Sequence, residues 1–445
     1  MKNFLAKTLV VGLVSFLLIA PGRVRAAEDV HVFTLEKSIW AALENNWTLK
    51  SVKEGVSEAA AVKRQAFADF FPKFSSSYSY TRLDEEQTTD PISLGPITIP
   101  GTPLALEDNY QWRTSVSQPV FTGFALTSAY QLAKLGIDAA ELEVAQEHMD
   151  LVLRVKEVYF SVLEADRAVE VAEKAVESLR EHVKVARNFY DVGMIPVNDL
   201  LEAEVELSNA EYDLVRARNA AQVARALFNT VLARPIEMPV FLVDVGDFRP
   251  ESEDLAEYIA VALEKRPAIE LLNVNIARTE QNRRIARSDY YPDVSLQYDY
   301  IKEGDEASVH GSEVHEGNRW QAMGVLSWTF FEWGKTRYAV EEVDSVLRQL
   351  IQTLAALKDQ VTFEVKQAYL QLLEAEENIP TTVKAVEQAE ENLRVSRERY
   401  QAQVATSTEV LDAQTLLTRA RTNYYRALYS HYLARARLER AIGRK

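Results

Sequence analysis

"DFFPKFSSSYSY" (Asp69–Tyr80) and "SDYYPDVSLQYDY" (Ser288–Tyr300) decide the fold of this 445-residue chain. Each sets two aromatics ahead of a proline, Pro72 or Pro292, and follows with alternating, tyrosine-rich sequence. From Val294 the even positions are Val294, Leu296, Tyr298 and Tyr300, and the odd ones are Ser295, Gln297 and Asp299. Such a period of two gives a strand with one apolar and one polar face. From Tyr110 the same pattern sets Tyr110, Trp112, Thr114 and Val116 against Gln111, Arg113, Ser115 and Ser117. Around Trp320 it gathers Trp320, Ala322, Leu326, Trp328 and Phe330 on one side. The strand at Phe74 is weaker, with Tyr78 and Tyr80 facing serines. Four strands are therefore predicted, over about 74–82, 110–121, 293–301 and 319–330. Each approaches the ~9–11 residues of a tilted membrane strand, and aromatics near the ends suit a membrane interface. The alternative, a soluble antiparallel sheet, would have to find its core in sequence that is otherwise helical with a narrow apolar seam.

Outward from these phrases the chain repeats itself. Pro72 and Pro292 stand 220 positions apart, as do "AALENN" from Ala41 and "VALEKR" from Val261, and Arg64 and Arg284. Downstream the offset becomes 210: "VKEVYFSVLEA" from Val155 faces "VKQAYLQLLEA" from Val365, and Tyr190 faces Tyr400. The first half thus carries ten extra residues between its strands, which an exposed loop absorbs most easily. That loop, Leu83 to Asn109, is rich in Pro and Thr and reads as extracellular and mobile. Two repeats follow, 27–234 and 235–445. The first holds helices within 34–70 and a helical hairpin over 123–232; the second holds helices within 252–290 and a hairpin over 334–442.

The hairpins carry strict heptads. One seam reads Val155, Val162, Val169, Val176, Val183 and Tyr190, with Val158, Ala165, Ala172, Leu179 and Ala186 three further on. The returning helix has Leu200, Leu207, Leu214, Ala221 and Phe228, with Ala203, Ala210, Ala217, Ala224 and Val231. In the second half Ala413, Ala420, Ala427, Ala434 and Ala441 form an alanine row. Sevens mean coiled coil, and alanine lets the backbones approach closely. Pro380 interrupts this pattern and predicts a kink.

The first 26 residues read as a secretory signal peptide: Lys2 and Lys7, an apolar run from Thr8 to Ala20, then Val24-Arg25-Ala26 as the cut site. The chain is acidic, at a formal −16, which argues against nucleic acid bound through a basic face. It has no cysteine, so neither a disulfide nor a lipidated cysteine is available. His310 and His315 lie in an acidic loop, Lys302 to Asn318, read as surface rather than as a metal site. No phosphate loop or nucleophile motif appears, and neither enzyme activity nor a cofactor is expected.

Four strands cannot close a barrel, and an open sheet edge in lipid leaves each unmet backbone group costing several kcal/mol. Oligomerisation follows. Two copies would give eight strands, which side chains fill; three give twelve and leave a lumen. The duplicated plan, "SQPVFTG" from Ser117 and "RYQAQVATSTEVLDAQTLL" from Arg399 resemble TolC-type outer-membrane efflux proteins over the whole mature chain. The resemblance implies an α+β membrane protein: a homotrimeric, 12-stranded β-barrel with four strands per chain. A long antiparallel coiled-coil α-helical barrel continues it across the periplasm, with a small equatorial belt. It implies a passive exit duct in outer-membrane lipid, docked through its helical tips on a periplasmic adaptor and an inner-membrane pump of RND, ABC or MFS type. The rival is a secreted coiled-coil scaffold whose strands merely cap it.

The tips are "YDVGMIPVNDLLEAE" from Tyr190 and "YQAQVATSTEVLDAQ" from Tyr400. Gly193 suits a left-handed helix stop and Pro196 the first turn of the next helix. Thr406 and Glu409 are spaced as a capping box. The resemblance implies adaptor contact at Val192, Gly193 and Met194, and at Gln403 and Val404, although Gln403 stands where the family usually has glycine. It also implies acidic rings at the periplasmic entrance from Glu409 and Asp412, with Asp199 and Glu202 at the equivalent places and Tyr400 beside them. The family's tip-locking arginine is Ala405 here, so a lock at Tyr400 would need other partners.

Overall fold

The computed structural model describes residues 32–245, 254–312, 314 and 316–444. The expected signal peptide, and His315, lie outside the described residues. The first half runs β1 (Val32–Phe33), α1 (Leu35–Asn45), α2 (Trp47–Ala68), β2 (Lys73–Arg82), β3 (Gln87–Thr88), β4 (Ile92–Leu94), β5 (Ile97–Ile99), β6 (Pro103–Ala105), β7 (Asp108–Thr122), α3 (Ala125–Asp191) and α4 (Val197–Val231). The second runs β8 (Phe241–Leu242), α5 (Leu255–Lys265), α6 (Pro267–Ser288), β9 (Asp293–Gly304), β10 (Arg319–Ser327), α7 (Lys335–Gln401) and α8 (Ser407–Ala441).

β2, β7, β9 and β10 form one antiparallel sheet in the order β10-β9-β7-β2. Both outer strands, β2 and β10, have a free edge within the protomer. The last strand stops at Ser327 rather than running on to Phe330. Ser327 pairs with Asp293, where β9 begins, and the following residues have no neighbour left to pair with. The Leu83–Asn109 segment, which joins β2 to β7, carries short strands of its own. It folds back on itself through the pairs β3–β6 and β4–β5.

Strand passes to helix through two consecutive left-handed residues in each half: Gly123 (φ 56°) and Phe124 (φ 71°), Trp333 (φ 55°) and Gly334 (φ 82°). At Gly123 a Cβ would stand 2.4 Å from the Ser288 carbonyl oxygen, so only glycine fits that close approach.

α3 and α7 have 67 residues each, about 100 Å at 1.5 Å per residue. α4 and α8 have 35 each and pack antiparallel on them. The heptad seams are tight at the ends and looser between. Val155, Val158, Val162, Val176, Leu179, Val183 and Ala186 are buried, whereas Ala165, Val169 and Ala172 are half-buried and Tyr190 is exposed. On α8 Ala413, Ala420, Ala434 and Ala441 are buried and Ala427 is not. Pro380 does not interrupt α7, which is helical throughout Lys335–Gln401. Proline cannot donate to the carbonyl four residues back. The carbonyl so deprived is that of Glu376; the hydroxyls of Thr381 and Thr382 bond the next two carbonyls, Glu377 and Asn378.

The largest apolar cluster lies halfway along the coils. Leu151, Val155, Tyr159, Phe160 and Phe228 pack there with Ala42 and Leu49 of α1–α2 and Tyr429 of α8. The sequence reading missed the parallel pair β1–β8 beside it. The Tyr159 hydroxyl shares its one proton between the carbonyls of Val243 (2.5 Å) and Phe33 (3.1 Å), pinning that pair to α3.

Candidate functional site

The sheet separates its two faces by chemistry. The odd positions of β7 and β9 make one polar surface. Gln111 donates to Glu303 (2.5 Å), Ser115 to Asp299 (2.5 Å), Gln321 to Asp299 (2.9 Å) and Arg319 to Glu303 (2.9 Å). The opposite face carries Phe74, Tyr78, Trp112, Leu296, Tyr298 and Trp320, all exposed. Trp328, Phe330, Phe331, Trp333 and Phe124 crowd the strand-to-helix passages, also exposed. A sheet with a dry-seeking outer face, an aromatic rim and a hydrogen-bonded polar face has the chemistry of a membrane barrel wall. Among the described residues no helix is long and apolar enough to cross a membrane.

At the far end of the coils the two tips share one turn geometry. Gly193 (φ 75°) and Gln403 (φ 62°) are both left-handed. Met194 N–H donates to the Phe189 carbonyl (2.8 Å), and Val404 N–H to the Arg399 carbonyl (2.9 Å). Gln403 thus takes the conformation that glycine takes in the first tip, which no local feature of the sequence announces. The tips touch each other: Gln403 Nε2 lies 2.9 Å from Met194 Sδ, and Thr408 Oγ1 donates to Glu202 Oε2 (3.2 Å). Val192, Met194 and Val404 are 68%, 58% and 64% exposed, an apolar knob with no cover in the protomer.

Glu409 is occupied twice. Its carboxylate closes the capping box with Thr406, accepting from the Thr406 N–H while Thr406 Oγ1 accepts from its own N–H. It also pairs with Arg399 (3.1 Å), whose guanidinium reaches the Val404 carbonyl. Arg399 was missed in the sequence, although a cation just before one helix end and an acid at the next helix start mark such a clasp. Asp412 and Glu202 are exposed, and Asp199 is half-buried.

Tyr400 is not on the surface. It is 4% exposed, its ring 4.9 Å from His182 and 5.6 Å from Phe189 of α3. Burial, and then the Asp199 carboxylate, push its hydroxyl above the ordinary tyrosine range. The neighbouring Ser407 hydroxyl pulls the other way and holds part of that rise back. The nearby Ser407 hydroxyl is engaged by His182 Nε2 at 2.8 Å. Burial, and then the Arg397 guanidinium, depress His182 to about 4. Arg397 in turn bonds Ser178, which bonds Gln414. This polar cluster ties α3 to α7 and α8 and was not foreseen, since its members lie more than two hundred residues apart in sequence.

Barrel-type strands on the end of a long helical coil define an outer-membrane conduit. The chain belongs to the outer membrane efflux protein family, whose pattern it matches over residues 39–233 and 258–444. Among curated proteins it is similar to the outer membrane efflux protein BepC of Brucella suis, at 21% identity over 97% of this chain and 90% of that one. It is similar also to the alkaline protease secretion protein AprF of Pseudomonas aeruginosa, at 24% identity over 74% of this chain and 69% of that one. Among solved structures, the CmeC outer membrane channel of Campylobacter jejuni shares the fold, with a TM-score of 0.79, 17% identity, and 92% of this chain and 85% of that one covered. The matched family and the similar structures are channels, not enzymes, and the chain is an outer-membrane exit duct by family.

Proposed function

We propose that three copies of this chain close into a 12-stranded barrel and a continuous helical tube, through which substrates leave the periplasm passively. The carrying observation is that β2 and β10 both keep a free edge in a sheet whose outer face is aromatic. Lipid cannot satisfy those edges. Joining β2 of one copy to β10 of the next is a head-to-tail contact that closes only as a ring. The helices support the same arrangement. α4 exposes Val197, Leu201, Val205, Tyr212, Val223 and Leu227 along one side, and α7 exposes Tyr338, Phe363, Leu370 and Val395 along another. Three copies leave a lumen, lined by the polar sheet face with Asp299, Glu303 and Arg113. The duplicated build of the chain supplies both walls of each wedge.

The exposed apolar knob of Val192, Met194 and Val404, with Gly193 and Gln403 as its turns, is the surface offered to a periplasmic adaptor, behind which an inner-membrane pump of RND, ABC or MFS type would stand. Glu409, Asp412, Asp199 and Glu202 gather at the same end and, repeated around three copies, would narrow the entrance with carboxylates that favour cations.

The absence of cysteine makes the ring directly testable. Cysteines placed along β2 and β10 are separated within one chain by two intervening strands, about 14 Å at ~4.8 Å each, beyond disulfide reach. Oxidation should therefore link chains, in a ladder that ends at three. A ladder ending at two, or a monomer fully inserted in membrane, would refute the ring. In planar bilayers Glu409→Gln with Asp412→Asn should lower the cation preference; unchanged selectivity would count against the acidic entrance.

A further inference from the structure

A groove of about 520 Å³ runs between α2 and α3, lined by Ser57, Ala60, Lys63, Arg64, Phe67 and Tyr130. It lies directly below the start of the sheet, since α2 ends at Ala68 and β2 begins at Lys73. Aromatic rings connect it to the apolar face. Gln118, paired with Leu296 and so on the aromatic side of β7, donates to the Phe70 carbonyl (2.9 Å). Phe70 and Phe67 meet Tyr130 at 6.2 and 6.0 Å, and Lys63 Nζ sits over the Tyr130 ring at 5.8 Å. The groove therefore joins a greasy surface above to cations below.

Those cations lack counter-ions. Among the described residues Lys63, Arg64 and Lys134, the last one turn beyond Tyr130, form no ion pair. The second half shows what a neutralised version looks like. At the positions 220 and 210 residues on, Lys63 becomes Arg283, Ala60 becomes Glu280 and Lys134 becomes Asp344. Arg283 is paired with Asp344 there at 2.6 Å. The first half thus replaces one carboxylate by a methyl and another by an ammonium while keeping its cations. Nearby acids are not drawn to these cations: Asp69 pairs with Lys73 (3.0 Å), and Asp138, one turn from Lys134, forms no ion pair among the described residues.

We propose that this groove holds the headgroup of an anionic phospholipid from the periplasm-facing leaflet. The phosphate would meet Lys63, Arg64 and Lys134, with the acyl chains rising over Phe67, Phe71 and the outer face of the sheet. Clustered Lys and Arg beside a membrane surface attract acidic lipid, and aromatic rings sit well at headgroup depth. The inference rests on the strands lying in lipid, as argued above.

Native mass spectrometry of the detergent-solubilised protein, titrated with phosphatidylglycerol or phosphatidylcholine, tests it. Wild type should retain phosphatidylglycerol preferentially. Lys63→Gln with Arg64→Gln and Lys134→Gln should weaken that retention at least about tenfold. Ala60→Glu with Lys134→Asp, which copies the second half's carboxylates into the groove, should do the same with two cations still present. Lys63→Arg with Arg64→Lys and Lys134→Arg should restore it, separating charge recognition from misfolding. Equal retention of both lipids, or indifference to the charge variants, overturns the proposal. So does displacement by inorganic phosphate at matched concentration, which would make the groove a site for soluble anions. Outer-membrane fractionation of the same variants separates this failure from failure of the duct reading. A protein that inserts but ignores lipid charge sinks only the groove.

Discussion

The two helical tips are built on one turn and anchored differently. Tyr190 of the first is 41% exposed; Tyr400 of the second, 210 residues on, is 4% exposed between His182 and Phe189. The first return helix starts at Pro196 without a side-chain cap, whereas the second has the Thr406–Glu409 box and the Arg399 clasp. Similar backbone geometry therefore hides unequal cohesion. The first tip is held mainly by its own small seam of Val183, Ala186, Leu200 and Ala203. The second is locked into a polar and aromatic cluster shared with α3. Any movement that parts the second tip from α3 must break those contacts, whereas the first tip has no such cluster to lose.

The tyrosines give the sharpest way to break this comparison. Tyr400→Ala empties a buried site and should destabilise the protein by about 3–5 kcal/mol, whereas the exposed Tyr190→Ala should cost under about 0.5 kcal/mol. Thermal unfolding of both variants in detergent measures the gap. Equal losses would mean that the tips are equivalent after all.

His182 tests the same cluster through pH. Its ring is held neutral by burial, with a folded value of about 4 against an ordinary 6.5. Between those values the unfolded chain binds a proton that the folded chain refuses. The stability this ring contributes is therefore complete above pH 6.5, declines as pH falls toward 4, and drops no further below that. His182→Gln should flatten this part of the melting profile. An unchanged profile would mean that another group carries the acid sensitivity of the second tip.

Much of this was legible because periodicity is a local property. Val294, Leu296, Tyr298 and Tyr300 announce a face with no help from tertiary structure, and so do the valines from Val155 to Val183. Features made by distant residues were hidden. Ser407 reads as an ordinary residue at a helix start, yet His182, 225 positions earlier, bonds it. The pair β1–β8 is too short for any pattern, and Tyr159, far away in sequence, ties it to α3 through the carbonyls of Phe33 and Val243. At Pro380 the missing N–H does not end the helix, which runs on to Gln401. Buried Ile379 and Leu393 hold the helix in its packing on either side of the proline. The acidic tip residues could be placed on helix faces from their spacing, but Glu409's second partner, Arg399, required the hairpin to be folded.

The smallest effect concerns the turns themselves. Gly193 at φ 75° has open space where a Cβ would stand, so Gly193→Ala adds no clash and changes only the backbone preference. A left-handed conformation costs an ordinary residue roughly 1–2 kcal/mol, and the first tip should lose about that much. Gln403 at φ 62° already bears this strain, and Gln403→Gly should recover about 1 kcal/mol, less whatever its contact with Met194 supplies. Paired melting curves therefore predict opposite signs at two positions with the same geometry. If Gln403→Gly destabilises instead, the amide's reach to Met194 outweighs the strain, and glutamine was retained there to fasten the second tip to the first.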